Sequence, residues 1–325
     1  MFSLRRLAAA LVIATAAATS AQAQTYPDKP ITLVVPFAAG GPSDVIARLL
    51  GQSMSATLGQ QVVIENVAGA GGTTAAGRVA KAPADGYTLL IHHVALAAGA
   101  SLYPKLGYDT NTAFQPLGLV NYGPFVLAAK NGFEPNTAAE LFAKLKKDGP
   151  SVNVAHAGVG SGSHLCGLML TQALGIQVTY VPYKGTGPAM NDLVGGQVDV
   201  LCDQTTNAIP QVTGGKVKAY AVTSNKRIEQ LPNLPTVVEA GIPGFEVTVW
   251  HGLYAPAGTP APVVTKLHGA LQTALADATI QKRFSDLGTL LFPADQRSPE
   301  ALGAYLKGEV ARWGEAVAKA GVKGE

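Results

Sequence analysis

Leu33-Val34-Val35-Pro36-Phe37-Ala38-Ala39-Gly40-Gly41-Pro42-Ser43-Asp44 decides the fold, because it runs from a strand end through two glycines into a helix. Successive backbone N–H groups in such a loop can point into a crevice, which makes an anion seat without charged side chains. Pro42 near the helix start fixes φ without removing a needed donor. Ser43 and Asp44 also suit an N-cap, and Phe37 suits either core filler or an apolar wall for a ligand. The same plan returns in Val152-Asn153-Val154-Ala155-His156-Ala157-Gly158-Val159-Gly160-Ser161-Gly162-Ser163-His164, now with two serine hydroxyls added. An apolar strand, a glycine-rich turn with serine and a helix thus occur once in each half of the chain.

Around these two units, short runs rich in valine, isoleucine and leucine alternate with longer helical stretches. Strands are expected at 31–35, 62–65, 88–92, 152–156, 178–181, 198–202 and 219–223. Helices are expected at 44–57, 73–81, 138–147, 164–174 and 187–195. Alternation of buried strands with helices implies an α/β fold whose largely parallel sheet is covered on both faces. Two similar units imply two facing lobes: residues 24–122 plus 248–325, and residues 123–247. The chain would cross near 121–126 and 245–253. Residues 298–320 read as an amphipathic closing helix, with Leu302, Tyr305, Leu306, Val310 and Trp313 along one side.

The beginning of the chain has the pattern of a secretory leader. Arg5 and Arg6 precede the apolar, alanine-rich run 7–20, and Ala21-Gln22-Ala23 supplies small residues for cleavage after Ala23. No later stretch approaches the roughly 20 continuous apolar residues of a membrane span. Cys166 and Cys202 are the only cysteines, so no cysteine follows the leader to take a lipid. In an oxidising compartment they could form one disulfide or remain two buried thiols. Of 24 basic residues, Arg5 and Arg6 leave with the leader, so 22 basic face 21 acidic residues, net +1. A near-neutral chain has no broad field for nucleic acid or an anionic membrane. Any anion must be held locally, by backbone dipoles or a few side chains.

Other chemistries fit less well. The second loop has no lysine after its glycines and carries serine at 163 where a dinucleotide fingerprint needs its last glycine. His92 and His93, adjacent on a strand, project to opposite faces and cannot chelate one ion together. One of them sits at a carboxy-terminal strand end, where it could donate to an anion. Ser161, His164 and Asp203 could be imagined as a hydrolase triad, yet there is no G-x-S-x-G elbow. Cys202-Asp203-Gln204-Thr205-Thr206-Asn207 is a polar burst after an apolar strand, either a turn or a pocket floor.

The chain resembles the extracytoplasmic receptors of tripartite tricarboxylate transporters, the Bug or TctC family. The resemblance runs through Tyr26-Pro27-Asp28-Lys29-Pro30, residues 35–44, Glu65-Asn66 with Gly69-Ala70-Gly71-Gly72, Ala84-Asp85-Gly86-Tyr87-Thr88-Leu89-Leu90, Val181-Pro182-Tyr183-Lys184-Gly185 and Gly252-Leu253-Tyr254-Ala255-Pro256. It implies a periplasmic clamshell of two α/β lobes joined by two crossing strands, without cofactor, metal or catalysis. It also implies a monomer that hands a small carboxylate to membrane transporter subunits; a sensor for a membrane kinase and a periplasmic α/β hydrolase are the alternatives. The implied ligand residues are Phe37, Ala38, Gly41 and Ser43 from the first loop and Gly158, Ser161, Ser163 and His164 from the second. Asp203 and Thr205 would select the ligand's far end. Residues 201–207 with His164-Leu165-Cys166-Gly167 look most like an aspartate-binding branch, where Asp203 could accept from an ammonium group. His92-His93 departs from that branch and makes His92 a further ligand candidate. It widens the expected ligands to dicarboxylates, aromatic ones such as terephthalate included.

Overall fold

The computed structural model describes residues 26–321, so the leader expected at 1–23 lies outside them. Strand β1 (Ile31–Val35) lies between β2 (Val62–Asn66) and β3 (Thr88–His93), all three parallel. Helix α1 (Pro42–Leu58) leaves the first glycine loop with Ile46, Ala47, Leu50, Met54 and Leu58 buried along one face. It ends where Gly59, at φ 70°, gives its N–H to the Ser55 carbonyl. Helix α2 (Thr73–Ala80) leads to β3, and α3 (Val94–Leu102) follows β3 without a loop. The sequence pattern missed α3 because Val-Ala-Leu-Ala-Ala-Gly-Ala-Ser-Leu has no polar face: almost every residue is buried, so no amphipathic period arises.

The second half repeats this plan. Strand β4 (Phe114–Lys130) and helix α4 (Ala138–Asp148) precede β5 (Asn153–His156). β5 lies between β6 (Thr179–Pro182) and β7 (Val200–Gln204), again all parallel. Helices α5 (Gly162–Leu174), α6 (Thr186–Val194) and α7 (Thr205–Thr213) leave the carboxy-terminal ends of these strands. Strand β8 (Val217–Val222) then pairs with β4.

β4 and β9 (Thr248–Pro256) are the crossing strands. Residues 114–124 of β4 pair antiparallel with β9, and residues 125–129 pair antiparallel with β7, so β4 changes partner between Pro124 and Phe125. Thr223 ties the crossings together: its hydroxyl donates to the Val247 carbonyl at 2.6 Å and accepts from the Phe125 N–H at 2.8 Å. The strand order is β2-β1-β3-β9-β4-β7-β5-β6, with β8 and the short β10 (Leu290–Leu291) also on β4. Each half is therefore mixed rather than purely parallel, because a strand that carries the chain between lobes runs against the strands it joins.

The final segment returns to the first half. Helices α8 (Ala261–Ala276) and α9 (Ala278–Asp286) cover the α1 side of its sheet, and α10 (Pro299–Ala320) covers the other. Ser298 caps α10 by accepting from the Ala301 N–H. Leu302, Leu306 and Trp313 are buried on its inner face, and Glu309 accepts from both Trp250 and Trp313 indoles, at 2.8 and 3.1 Å. Cys166 on α5 and Cys202 on β7 are joined by a buried disulfide, with 6.2 Å between their Cα atoms. Among the described residues no helix is long and apolar enough to cross a membrane.

Candidate functional site

The carboxy-terminal ends of β1, β3, β5 and β7 meet around a cavity of about 20 Å³, room for little more than one water. Phe37, Ala38, Gly41, Ser43 and Asp44 line it from the first loop, and Ala157, Ser161, Gly162 and Ser163 from the second. His93, Phe125, Thr186, Asp203 and Gln204 complete the wall. Five helices start here, α1, α3, α5, α6 and α7, and the N–H groups of a first helical turn have no intrahelical acceptor. Their dipoles give the cavity a positive potential although no lysine or arginine lines it.

The second loop is wired to donate. Ser163 Oγ accepts from the Ala157 N–H at 2.9 Å, Ser161 Oγ caps α5 by accepting from the His164 N–H at 3.3 Å, and the two hydroxyls lie 3.2 Å apart. Both oxygens already accept backbone hydrogens. One hydroxyl proton can therefore bridge the pair while the other points into the cavity. In the first loop, Gly41 is the N-cap. Asp44 stands inside the first turn, where it accepts from the Gly40 N–H and from Asn66 at 3.0 Å each and pairs with Arg48 at 3.0 Å. These partners hold the Asp44 carboxyl below its ordinary pKa despite the opposing cost of burial, the largest single influence on it.

Asp203 is fully buried. It accepts from the Gln204 N–H at 2.8 Å, from Asn207 at 2.5 Å and from the Thr186 hydroxyl. Burial outweighs these donors and pushes its carboxyl up to about 7. The polar burst at 202–207 is thus both pocket wall and helix start.

Four expected ligand residues stand elsewhere. His92 faces away from the cavity: its Nδ1 accepts from the His93 N–H, and its Nε2 meets the Gly72 carbonyl at 3.3 Å. Strand alternation turns the next residue, His93, onto the cavity instead. His164 Nδ1 accepts from the Gly160 N–H at 3.2 Å, and its ring lies against His156 and Tyr180, so it shapes the loop from behind. Gly158, at φ 101°, stands at the outer rim beside Gly71. The Thr205 hydroxyl donates to the Gly288 carbonyl at 3.0 Å, away from the cavity.

Sequence reading overlooked Phe125, Thr186 and His251, and offered Gln204 only as part of the polar burst at 202–207. His251 comes from β9, directly opposite His93 in the β3–β9 register, and its Nε2 lies 3.0 Å from Ser43 Oγ. Phe37 stacks on His93, with ring centres 4.9 Å apart and planes 10° apart. Burial depresses the imidazoles: His92 to about 4, His251 to about 3 and His93 well below the ordinary value, so all three are neutral at pH 7. Among the described residues no three His, Cys, Asp or Glu side chains are grouped to hold a metal.

The two halves touch around the cavity. The Ala38 N–H donates to the Lys184 carbonyl and the Tyr103 hydroxyl to the Val159 carbonyl, each at 2.9 Å. Two lobes gripping a cation-free, donor-lined cavity between loops at their strand ends define a solute-binding receptor of the periplasmic-binding-protein fold. The chain belongs to the tripartite tricarboxylate transporter family receptors, whose sequence profile matches residues 46–322. Its fold is similar to that of the periplasmic binding protein BugD, at TM-score 0.89 and 51% identity over 92% of this chain and all of that one. It is also similar to MatC of Rhodopseudomonas palustris, determined with bound malate, at TM-score 0.87 and 44% identity over 90% of this chain and all of that one. A UPF0065 protein encoded in the TAR-I ttuE-ttuC' intergenic region of Agrobacterium vitis is 49% identical over 317 residues, 97% of this chain and 92% of its own length. Receptors of this family are periplasmic and bind solutes rather than transform them.

Proposed function

We propose that this chain, exported by its leader to the periplasm, captures a small aliphatic dicarboxylate or acidic amino acid and presents it as a monomer to tripartite transporter subunits in the membrane. The observation that carries the reading is a cavity where five helix starts and the Ser161–Ser163 pair offer hydrogens and no cationic side chain lines the wall. The malate held by MatC favours a four-carbon ligand over terephthalate. The lobes divide at 122/123 and 247/248, and the Thr223 bridge lies at the pivot. In this reading Asp203 faces the ligand's far end, where it can receive an ammonium hydrogen. Catalysis has no support in the site: Ser161 caps a helix, and His164 accepts a backbone hydrogen instead of activating it.

A thermal-shift screen with malate, succinate, citrate, aspartate, glutamate, nicotinate, benzoate and terephthalate tests the proposal. A ligand at 100 times its Kd adds about 2.7 kcal/mol to stability. The reading fails if no carboxylate raises Tm while an ester is turned over. Ser161→Ala should weaken the best ligand about tenfold, at a cost of about 1 kcal/mol in helix capping; unchanged affinity would remove Ser161 from the site.

A further inference from the structure

Two buried polar atoms near the ligand site have no hydrogen-bond partner: His251 Nδ1 and Asn121 Oδ1. They belong to residues directly opposite each other in the β4–β9 register. The direction of the bonds beyond Asn121 is fixed. The Thr289 hydroxyl gives its single hydrogen to the Tyr122 carbonyl at 2.8 Å, so Thr289 Oγ1 can only accept from Asn121 Nδ2, at 2.7 Å. Asn121 therefore turns an acceptor, not a donor, toward the β9 side. A neutral imidazole carries one hydrogen, and placing it on His251 Nδ1 satisfies both orphaned atoms, directly or through one buried water. His251 Nε2 is then a bare lone pair, and the partner 3.0 Å away, Ser43 Oγ, must supply the hydrogen.

We infer that a directed relay, Ser43 to His251 to Asn121 to Thr289 to the Tyr122 carbonyl, consumes the Ser43 hydrogen and turns the serine's lone pairs to the cavity. Ser43 is thereby an acceptor for a hydroxyl or ammonium group, and the preferred ligands are hydroxy- or amino-substituted carboxylates. The contrast is with Ser161 and Ser163, which accept backbone hydrogens and leave one hydroxyl hydrogen of the pair for a carboxylate. His251 acts through Ser43 as a positioning residue and brings the crossing strand β9 into ligand selection. This inference rests on the carboxylate-receptor reading, but the relay itself is testable without a ligand.

Long-range ¹⁵N–¹H NMR of the imidazoles of the unmodified protein at pH 7 should show His251 as the Nδ1–H tautomer, with its Nε2 resonance moved by Ser43→Ala. An Nε2–H tautomer overturns the relay. In binding, L-malate and succinate differ by one hydroxyl. The unmodified protein should prefer malate by about tenfold, and Ser43→Ala should erase that preference while changing succinate affinity less than about threefold. Equal weakening of both ligands overturns the assignment of Ser43 as acceptor. If neither ligand binds, the carboxylate reading is what fails, and the tautomer still decides the relay.

Discussion

Acidification from pH 7 to pH 5 should strip this protein of much of its stability, long before its surface carboxylates titrate. The cause is the set of imidazoles buried in neutral form. His92 is held at about 4, His164 and His251 at about 3 and His93 well below its ordinary value, in each case chiefly by burial. An unfolded histidine titrates near 6.5, so at pH 5.5 about nine in ten are protonated there and almost none in the fold. A depressed histidine contributes stability that is fully present above about pH 6.5 and lost as pH falls toward the folded value. Asp203 works in the opposite sense. Its folded value of about 7 lies above the unfolded one of about 4, so its contribution strengthens as pH falls through 7. His156 is also lowered by burial and adds in the same sense; even without it, four histidines against one aspartate leave about three protons taken up on unfolding near pH 5.5. At about 1.4 kcal/mol per proton per pH unit, that is roughly 4 kcal/mol per unit, against a typical total of about 5–15 kcal/mol. Urea midpoints followed by circular dichroism at half-unit steps, with proton uptake on unfolding measured in parallel, check the slope. A midpoint that is level or rises between pH 6.5 and 5 would refute the account of neutral buried imidazoles.

Two further outcomes follow from contacts between and within the lobes. A methyl group at Gly187 would stand 2.6 Å from the Ala39 carbonyl oxygen and 3.0 Å from the Gly41 nitrogen, so Gly187→Ala should hold the lobes apart. Small-angle scattering should then give a larger radius of gyration with malate present, and malate affinity should fall at least tenfold; an unchanged radius contradicts the close approach. The Cys166–Cys202 bridge closes a loop across a sequence separation of 36, for which chain entropy predicts about 4 kcal/mol. Cys166→Ala with Cys202→Ala should lower the urea midpoint by that amount at unchanged m-value, and a shift below about 1 kcal/mol would show that the unfolded chain is already restrained there.

The fold class, the paired glycine loops and the absence of a cationic clamp were legible in the chain alone, because strand periodicity, loop glycines and net charge are local properties. Local sequence also placed Ser161 and Ser163 in the glycine loop before a helix and made Asp203 a candidate for the ligand's far end. Two things were beyond its reach. Which of His92 and His93 faces the cavity depends on how β3 is seated between β1 and β9, since strand alternation guarantees opposite faces without saying which is inward. His251 was invisible because its meaning comes from register: it opposes His93 and Asn121 across pairings that join residues more than a hundred positions apart. The sequence by itself determined that two glycine loops present backbone hydrogens at strand ends. The tertiary structure alone decided which side chains receive hydrogens opposite them, because the direction of a hydrogen bond is set by the partner at its far end.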